Sequence, residues 1–80
     1  MSPYDYRPCT LLGAVFFQLR QLTTGHDWYR KAEARGADRV SVDQEIMAVL
    51  EWVSKEVRER VVDFLLAADR ERFTWLTRQA

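Results

Sequence analysis

Residues 42–68 read VDQEIMAVLEWVSKEVRERVVDFLLAA, and neither Gly nor Pro interrupts the chain from Ala37 to Ala80. Laid on a helix, Val42, Ile46, Val49, Leu50, Val53, Val57, Val61, Phe64 and Ala68 fall within one sector of about 120°, the width of a core-facing stripe. Val62, Leu66, Phe73 and Leu76 fall on roughly the opposite side, so the C-terminal half offers apolar surface in two directions. One layer of neighbours does not cover both.

Length limits how that surface is handled. A domain of 80 residues is about 30 Å across, whereas an unbroken helix from Val42 to Ala80 extends about 58 Å. Two breaks are readable: Ser54 with Glu56 behind it, and Asp69 before the charged run Arg70, Glu71, Arg72. The change of apolar face favours a bend near residues 67–69. Upstream, Ser41, Val42, Asp43 and Gln44 match a capping box that starts a helix. Glu51 with Lys55 and Glu56 with Arg60 stand at i,i+4 on the solvated side, worth about 0.2 to 0.5 kcal/mol per pair.

Toward the N-terminus, residues 1–8 hold both prolines and the pair Tyr4 and Tyr6, which reads as an extended arm. A first helix is expected from Cys9 or Thr10 to Leu22, with a buried face of Leu11, Leu12, Val15, Phe16, Leu19 and Leu22. Phe17 lies off that face, covered by the arm or open to a partner. Thr23, Thr24 and Gly25 break the pattern, and a short second helix is expected from Asp27 to Arg35, closed by Gly36 in a left-handed C-cap. Asp27 and Lys31 pair along it, and Arg35 suits its C-terminal dipole. The expectation is therefore an all-α fold: a small bundle of three to four helices, with a long helical region over about 42–80, in one helical domain over 9–80. The two apolar seams point further, to a helical homodimer.

Composition excludes several function classes. With 48% hydrophobic and 30% charged residues the chain reads as a soluble globular protein rather than a disordered one. Twelve basic residues balance twelve acidic ones. Residues 1–40 are +2 (six basic, four acidic) and residues 41–80 are −2 (six basic, eight acidic), too little for a nucleic-acid footprint. The run Leu11 to Phe17 is far shorter than the roughly 18 to 20 residues of a membrane span, and no small-x-small cleavage site follows it. The lone Cys9 excludes an internal disulfide and points to a reducing, cytoplasmic setting.

Chemistry-bearing groups are few. His26 beside Asp27 suggests an acid–base pair, but no nucleophile or anion-stabilising group accompanies it, and an exposed His at a helix start is the plainer reading. One Cys and one His do not assemble a zinc site. Glycines at 13, 25 and 36 form no phosphate-binding loop. No catalytic residue, cofactor or metal is expected. Arg30, Lys31, Arg35 and Arg39 cluster around the turn at Gly36 and outline a helix-turn-helix, the alternative reading as a small DNA-associated regulator. The second helix of that pair begins with Asp43 and Glu45, which oppose a polyanion. Aromatic and apolar residues stand out instead: Trp52, Val62, Leu66, Phe73, Trp75 and Leu76 are the expected protein-interaction set. The function expected is that of a non-catalytic inhibitor, antiactivator or adaptor, a homodimer that binds a larger target protein by helix-in-groove contact.

Overall fold

The computed structural model describes residues 6–79, with side chains described through Thr77. The chain is all-helical: α1 (Arg7–Gln18), α2 (Leu22–Ala34), α3 (Arg39–Trp52), α4 (Lys55–Ala68), α5 (Arg70–Phe73) and a 3-10 segment (Thr74–Gln79). No strand occurs among the described residues, and none of their helices is long and apolar enough to cross a membrane. The radius of gyration is 12.0 Å, close to the roughly 12 Å expected of a compact chain of this length.

Both readable breaks in the C-terminal half are real. The Ser54 hydroxyl accepts from the Val57 amide at 3.3 Å and caps α4. The Asp69 carboxylate accepts from the Arg72 amide at 3.2 Å and caps α5. Residues 42–79 are thus three elements and a 3-10 tail rather than one bent rod, and the longest dimension of the molecule is 37 Å. Arg58 of α4 reinforces the first corner: its Nε donates at 2.8 Å to the carbonyl of Leu50 in the last turn of α3, a group with no partner inside its own helix.

The main seam is buried as its periodicity requires. Val42, Ile46, Val49, Leu50, Val53, Val57 and Val61 all lie in the core, Phe64 is half-buried, and Ala68 is exposed. Leu65, outside the expected stripe, is fully buried. The start of α3 differs from the expectation. Its cap is Asp38, whose carboxylate accepts from the Ser41 amide at 2.7 Å, so Ser41 sits inside the first turn. Either residue type can cap a helix. The position is decided by the preceding turn, which delivers the chain to Asp38 in extended geometry.

That turn is a Schellman motif. The Gly36 amide donates to Glu33 and the Ala37 amide to Ala32, with Gly36 at φ +107°, the left-handed conformation that glycine adopts without strain. An equivalent turn ends α1, where no glycine marks it. Arg20 donates to Phe17 and Gln21 to Phe16, and Arg20 sits at φ +66°. Its side chain reaches Glu56 at the start of α4, with Nε at 2.7 Å.

The first two helices correct several expectations. Helix α1 begins at Arg7 and takes Pro8 into its first turn, where a missing amide proton breaks no bond. Residues 1–5 of the expected arm lie outside the described residues. Helix α2 begins at Leu22 rather than Asp27, with Gly25 inside it. Most consequentially, α1 is turned over: Cys9, Thr10, Gly13 and Phe17 are buried, whereas Leu11, Leu12, Val15 and Leu19 are exposed. Phe17 is covered by α2, its ring 5.2 Å from that of Tyr29.

Close approach of α1 and α2 explains the inversion. A Cβ placed on Gly13 would lie 2.5 Å from the Tyr29 ring, and one on Gly25 would lie 2.6 Å from the Phe17 ring. Each glycine is a socket for an aromatic of the other helix. Residues of leucine size at the contact would hold the helices farther apart, so the small face turns inward and the large apolar face outward.

Candidate protein-binding surfaces

The expected interaction residues divide by burial. Phe73 and Leu76 are 1% and 7% exposed and fill the chain's own core, so almost none of either side chain is on the surface. The reason is the second break: α5 and the 3-10 segment fold back, and the apolar side that a continuous helix would present outward closes over α2 and α4. Phe73 lies edge-on to His26 at 6.4 Å and tilted against Trp75 at 6.4 Å. Val62, Leu66 and Trp75 are half-buried, and Trp52 is 58% exposed at the end of α3.

An ionic cluster locks this arrangement. Arg72 of α5 pairs with Glu33 of α2 and, through Nε and Nη2 at 3.3 and 3.1 Å, with Asp43 of α3. Burial opposes the guanidinium charge, but the two carboxylates outweigh it and hold its pKa above the ordinary value. Asp43 therefore serves a tertiary ion pair rather than a free first-turn charge.

His26 is not an exposed residue at a helix start. It is half-buried in α2, its ring 5.7 Å from Phe64 in an edge-to-face contact. Burial lowers its pKa, aided by Arg30 and Arg72 and opposed by Asp27 and Glu33. Its surroundings are two aromatic rings, two guanidinium groups and two carboxylates, an arrangement that packs α2 against α4 and α5. Tyr29 is buried with its hydroxyl unpartnered among the described residues, and burial followed by the Glu45 charge pushes its pKa well up. Cys9 is a buried free thiol. No group of three His, Cys, Asp or Glu side chains among the described residues is placed to hold a metal.

The basic cluster is solvated. Arg30, Lys31, Arg35 and Arg39 are all exposed, with Lys31 stacked 4.4 Å over the Trp28 ring. Between Arg35 and Arg39 stands the Asp38 carboxylate, its pKa lowered by the hydrogen bond from the Ser41 amide. Arg39 is the one basic residue of α3, and the exposed side of that helix carries Gln44, Glu45 and Glu51. A helix so charged does not suit a phosphate backbone.

Two apolar surfaces remain. The first is the outer face of α1, where Leu11, Leu19, Val15 and Leu12 are 67%, 57%, 49% and 38% exposed and share a sector of about 100°. The second is an open groove of about 760 Å³ between α3, α4 and the 3-10 segment, floored by Met47, Leu50, Val62, Trp75 and Leu76. Periodicity missed the first because it identifies the largest apolar sector without saying which way it turns. The signal available was the pair Gly13 and Gly25, one on each of two neighbouring helices. Val62, Trp75 and Leu76 of the expected interaction set converge on the second, while Trp52 and Leu66 are not among the residues that line it. Comparison with protein-family models, curated proteins and solved structures finds no match to this chain.

Proposed function

We propose that the chain is a small, non-catalytic, cytoplasmic regulatory protein that acts by binding other proteins, as an inhibitor, antiactivator or adaptor, and that two copies pair through the outer face of α1. The observation that carries this reading is the outward apolar stripe of Leu11, Leu12, Val15 and Leu19. Isolated exposed leucines are ordinary on protein surfaces, whereas a contiguous set on one helix marks a contact surface.

A second copy suits the stripe because residues 8–19 carry no charge. A two-fold axis places the same patch on both sides, so any charge within it would face its own image. Covering the exposed parts of these four side chains contributes about 4 to 5 kcal/mol per copy. The pair gains about 9 kcal/mol, against an association cost of about 4 to 15 kcal/mol. These magnitudes favour a concentration-dependent dimer rather than an obligate one.

Sedimentation equilibrium tests it. The apparent mass should rise from one chain toward two between about 1 μM and about 1 mM. Val15→Glu should remain a single chain over that range with unchanged far-UV circular dichroism, since a surface substitution shifts stability by less than about 0.5 kcal/mol. A wild-type chain that stays single at the upper concentration overturns the pairing.

A further inference from the structure

The groove between α3, α4 and the 3-10 segment has a different character from the α1 stripe, and we infer that it docks a cationic amphipathic helix of a partner protein. The inference rests on the reading of this chain as a protein-binding module but uses none of the α1 residues. Its floor is apolar and adaptable. Met47 of α3 and Val62 of α4 are half-buried, Leu50 and Leu76 close the bottom, and Trp75 forms one wall. A methionine thioether refits to different side chains at little cost. The volume of about 760 Å³ takes several side chains of one helical face, as helix-in-groove recognition requires.

Trp75 supplies the second observation. It lines the groove, and its Nε1–H is buried with no acceptor among the described residues. A buried donor left without a partner costs about 1 to 3 kcal/mol. That nitrogen is closed to solvent, so an occupant satisfies it by turning the indole toward the groove, and contact with this wall is read at one identifiable N–H.

Charge selects the occupant. Glu51 on α3 and Glu59 and Asp63 on α4 line the groove as carboxylates. Neither Glu51 nor Asp63 has an ion-pair partner among the described residues. Among the described residues Glu59 meets only Lys55, at 4.0 Å between two well-exposed side chains, a pair of little strength in water. Among the described residues Arg58 is the one cation of the lining, and its Nε is committed to the Leu50 carbonyl. Glu59 and Asp63 stand one turn apart on α4, so a helix lying alongside presents Lys or Arg at matching i,i+4 positions. An acidic or uncharged segment gains nothing from this rim, and an acidic one is repelled by it.

The test uses the 15N-labelled chain of residues 1–80 and two synthetic peptides of about 18 residues with one leucine pattern, the polar face being all Lys in one and all Glu in the other. The Trp75 indole N–H resonance, identified by its loss in Trp75→Phe, should shift saturably with the Leu/Lys peptide and not with the Leu/Glu peptide. Trp28 and Trp52 should move less. Raising salt from about 50 to about 300 mM should weaken binding several-fold. The double variant Glu59→Lys/Asp63→Lys, altered only at exposed positions, should lose the Leu/Lys peptide by at least about tenfold and take up the Leu/Glu peptide. Equal binding of both peptides, no effect of the reversal, shifts confined to Trp28 or Trp52, or no shift at millimolar peptide each overturns the assignment. Val15→Glu should titrate like wild type, so a failed dimer leaves the groove result standing, and an empty groove leaves the sedimentation result untouched.

Discussion

The α1–α2 hairpin and the α3–α4–α5 unit bury their apolar residues by opposite rules. In α3 and α4 the large aliphatic residues other than Val40, which is 66% exposed, turn mainly inward, and Val42, Ile46, Val49, Val57 and Val61 form a continuous core seam. In α1 the inward face is Cys9, Thr10, Gly13 and Phe17, and four large aliphatic residues at positions 11, 12, 15 and 19 turn outward. Burial of large side chains is non-directional and repays any geometry that achieves it. Close helix contact instead demands small residues at particular points, and in the hairpin that demand wins because Phe17 and Tyr29 both need a socket. An apolar sector on a helix therefore gives the amount of surface to be covered, not the identity of its cover.

Glutamate substitutions break this comparison most sharply. Leu76→Glu places a carboxylate where the leucine is 7% exposed, and it should lower stability by about 3 kcal/mol or more, through lost burial and a desolvated charge. Leu11→Glu, at a position 67% exposed, should change it by less than about 0.5 kcal/mol. Urea unfolding of the two variants checks the difference. Equal losses would mean that α1 is not turned outward as described.

Next in size is the socket itself. Gly25→Val puts a branched side chain where even a Cβ meets the Phe17 ring at 2.6 Å and the Gly13 carbonyl oxygen at 3.0 Å. Overpacking of this kind costs about 1 to 3 kcal/mol, although valine is a slightly better helix former than glycine. The expected net is a loss of about 2 kcal/mol in urea titration. A neutral outcome would show that the two helices separate easily and that the small face of α1 does not fix its orientation.

Legibility followed the same division. The helical class, the seam from Val42 to Val61, the caps Ser54 and Asp69 and the left-handed Gly36 were all readable, because each depends on the chemistry of one residue or on a simple period. The turn at Arg20 was not. It places a non-glycine residue at φ +66°, a strain of about 1 to 3 kcal/mol that only the surrounding packing supports, while Gly25, which looked like the break, lies inside α2. The surface residues were legible in part. Trp75 and Val62 line the groove, but Phe73 and Leu76 are drawn inward by a fold-back whose starting cap was visible and whose direction was not. That direction depends on Arg72 finding Glu33 and Asp43, residues 39 and 29 positions away, and no local pattern announces a contact of that range.

The smallest expected effect probes the joint between the two regions, where His26 of α2 meets Phe64 of α4 and Phe73 of α5. The charged groups acting on it are Arg30 and Arg72, which lower its pKa after burial has done so, and Asp27 and Glu33, which oppose them. Its pKa in the fold lies below the ordinary imidazole value of about 6.5. As pH falls through 6.5 the unfolded chain takes up the proton first, so stability is full above that pH, declines below it, and levels off once the folded form also protonates. The carboxylates with lowered pKa, Asp38 and Glu56, lose their contributions only in more acidic solution, which leaves the window between about pH 7 and about pH 5 to His26. The urea midpoint of the wild-type chain should drop across that window, and His26→Gln should flatten the drop. The half-exposed ring keeps the change small. A slope that survives His26→Gln would move the titrating group elsewhere and leave the joint between hairpin and C-terminal unit held by Arg72 and its two carboxylates, with the imidazole acting there only as a flat apolar ring.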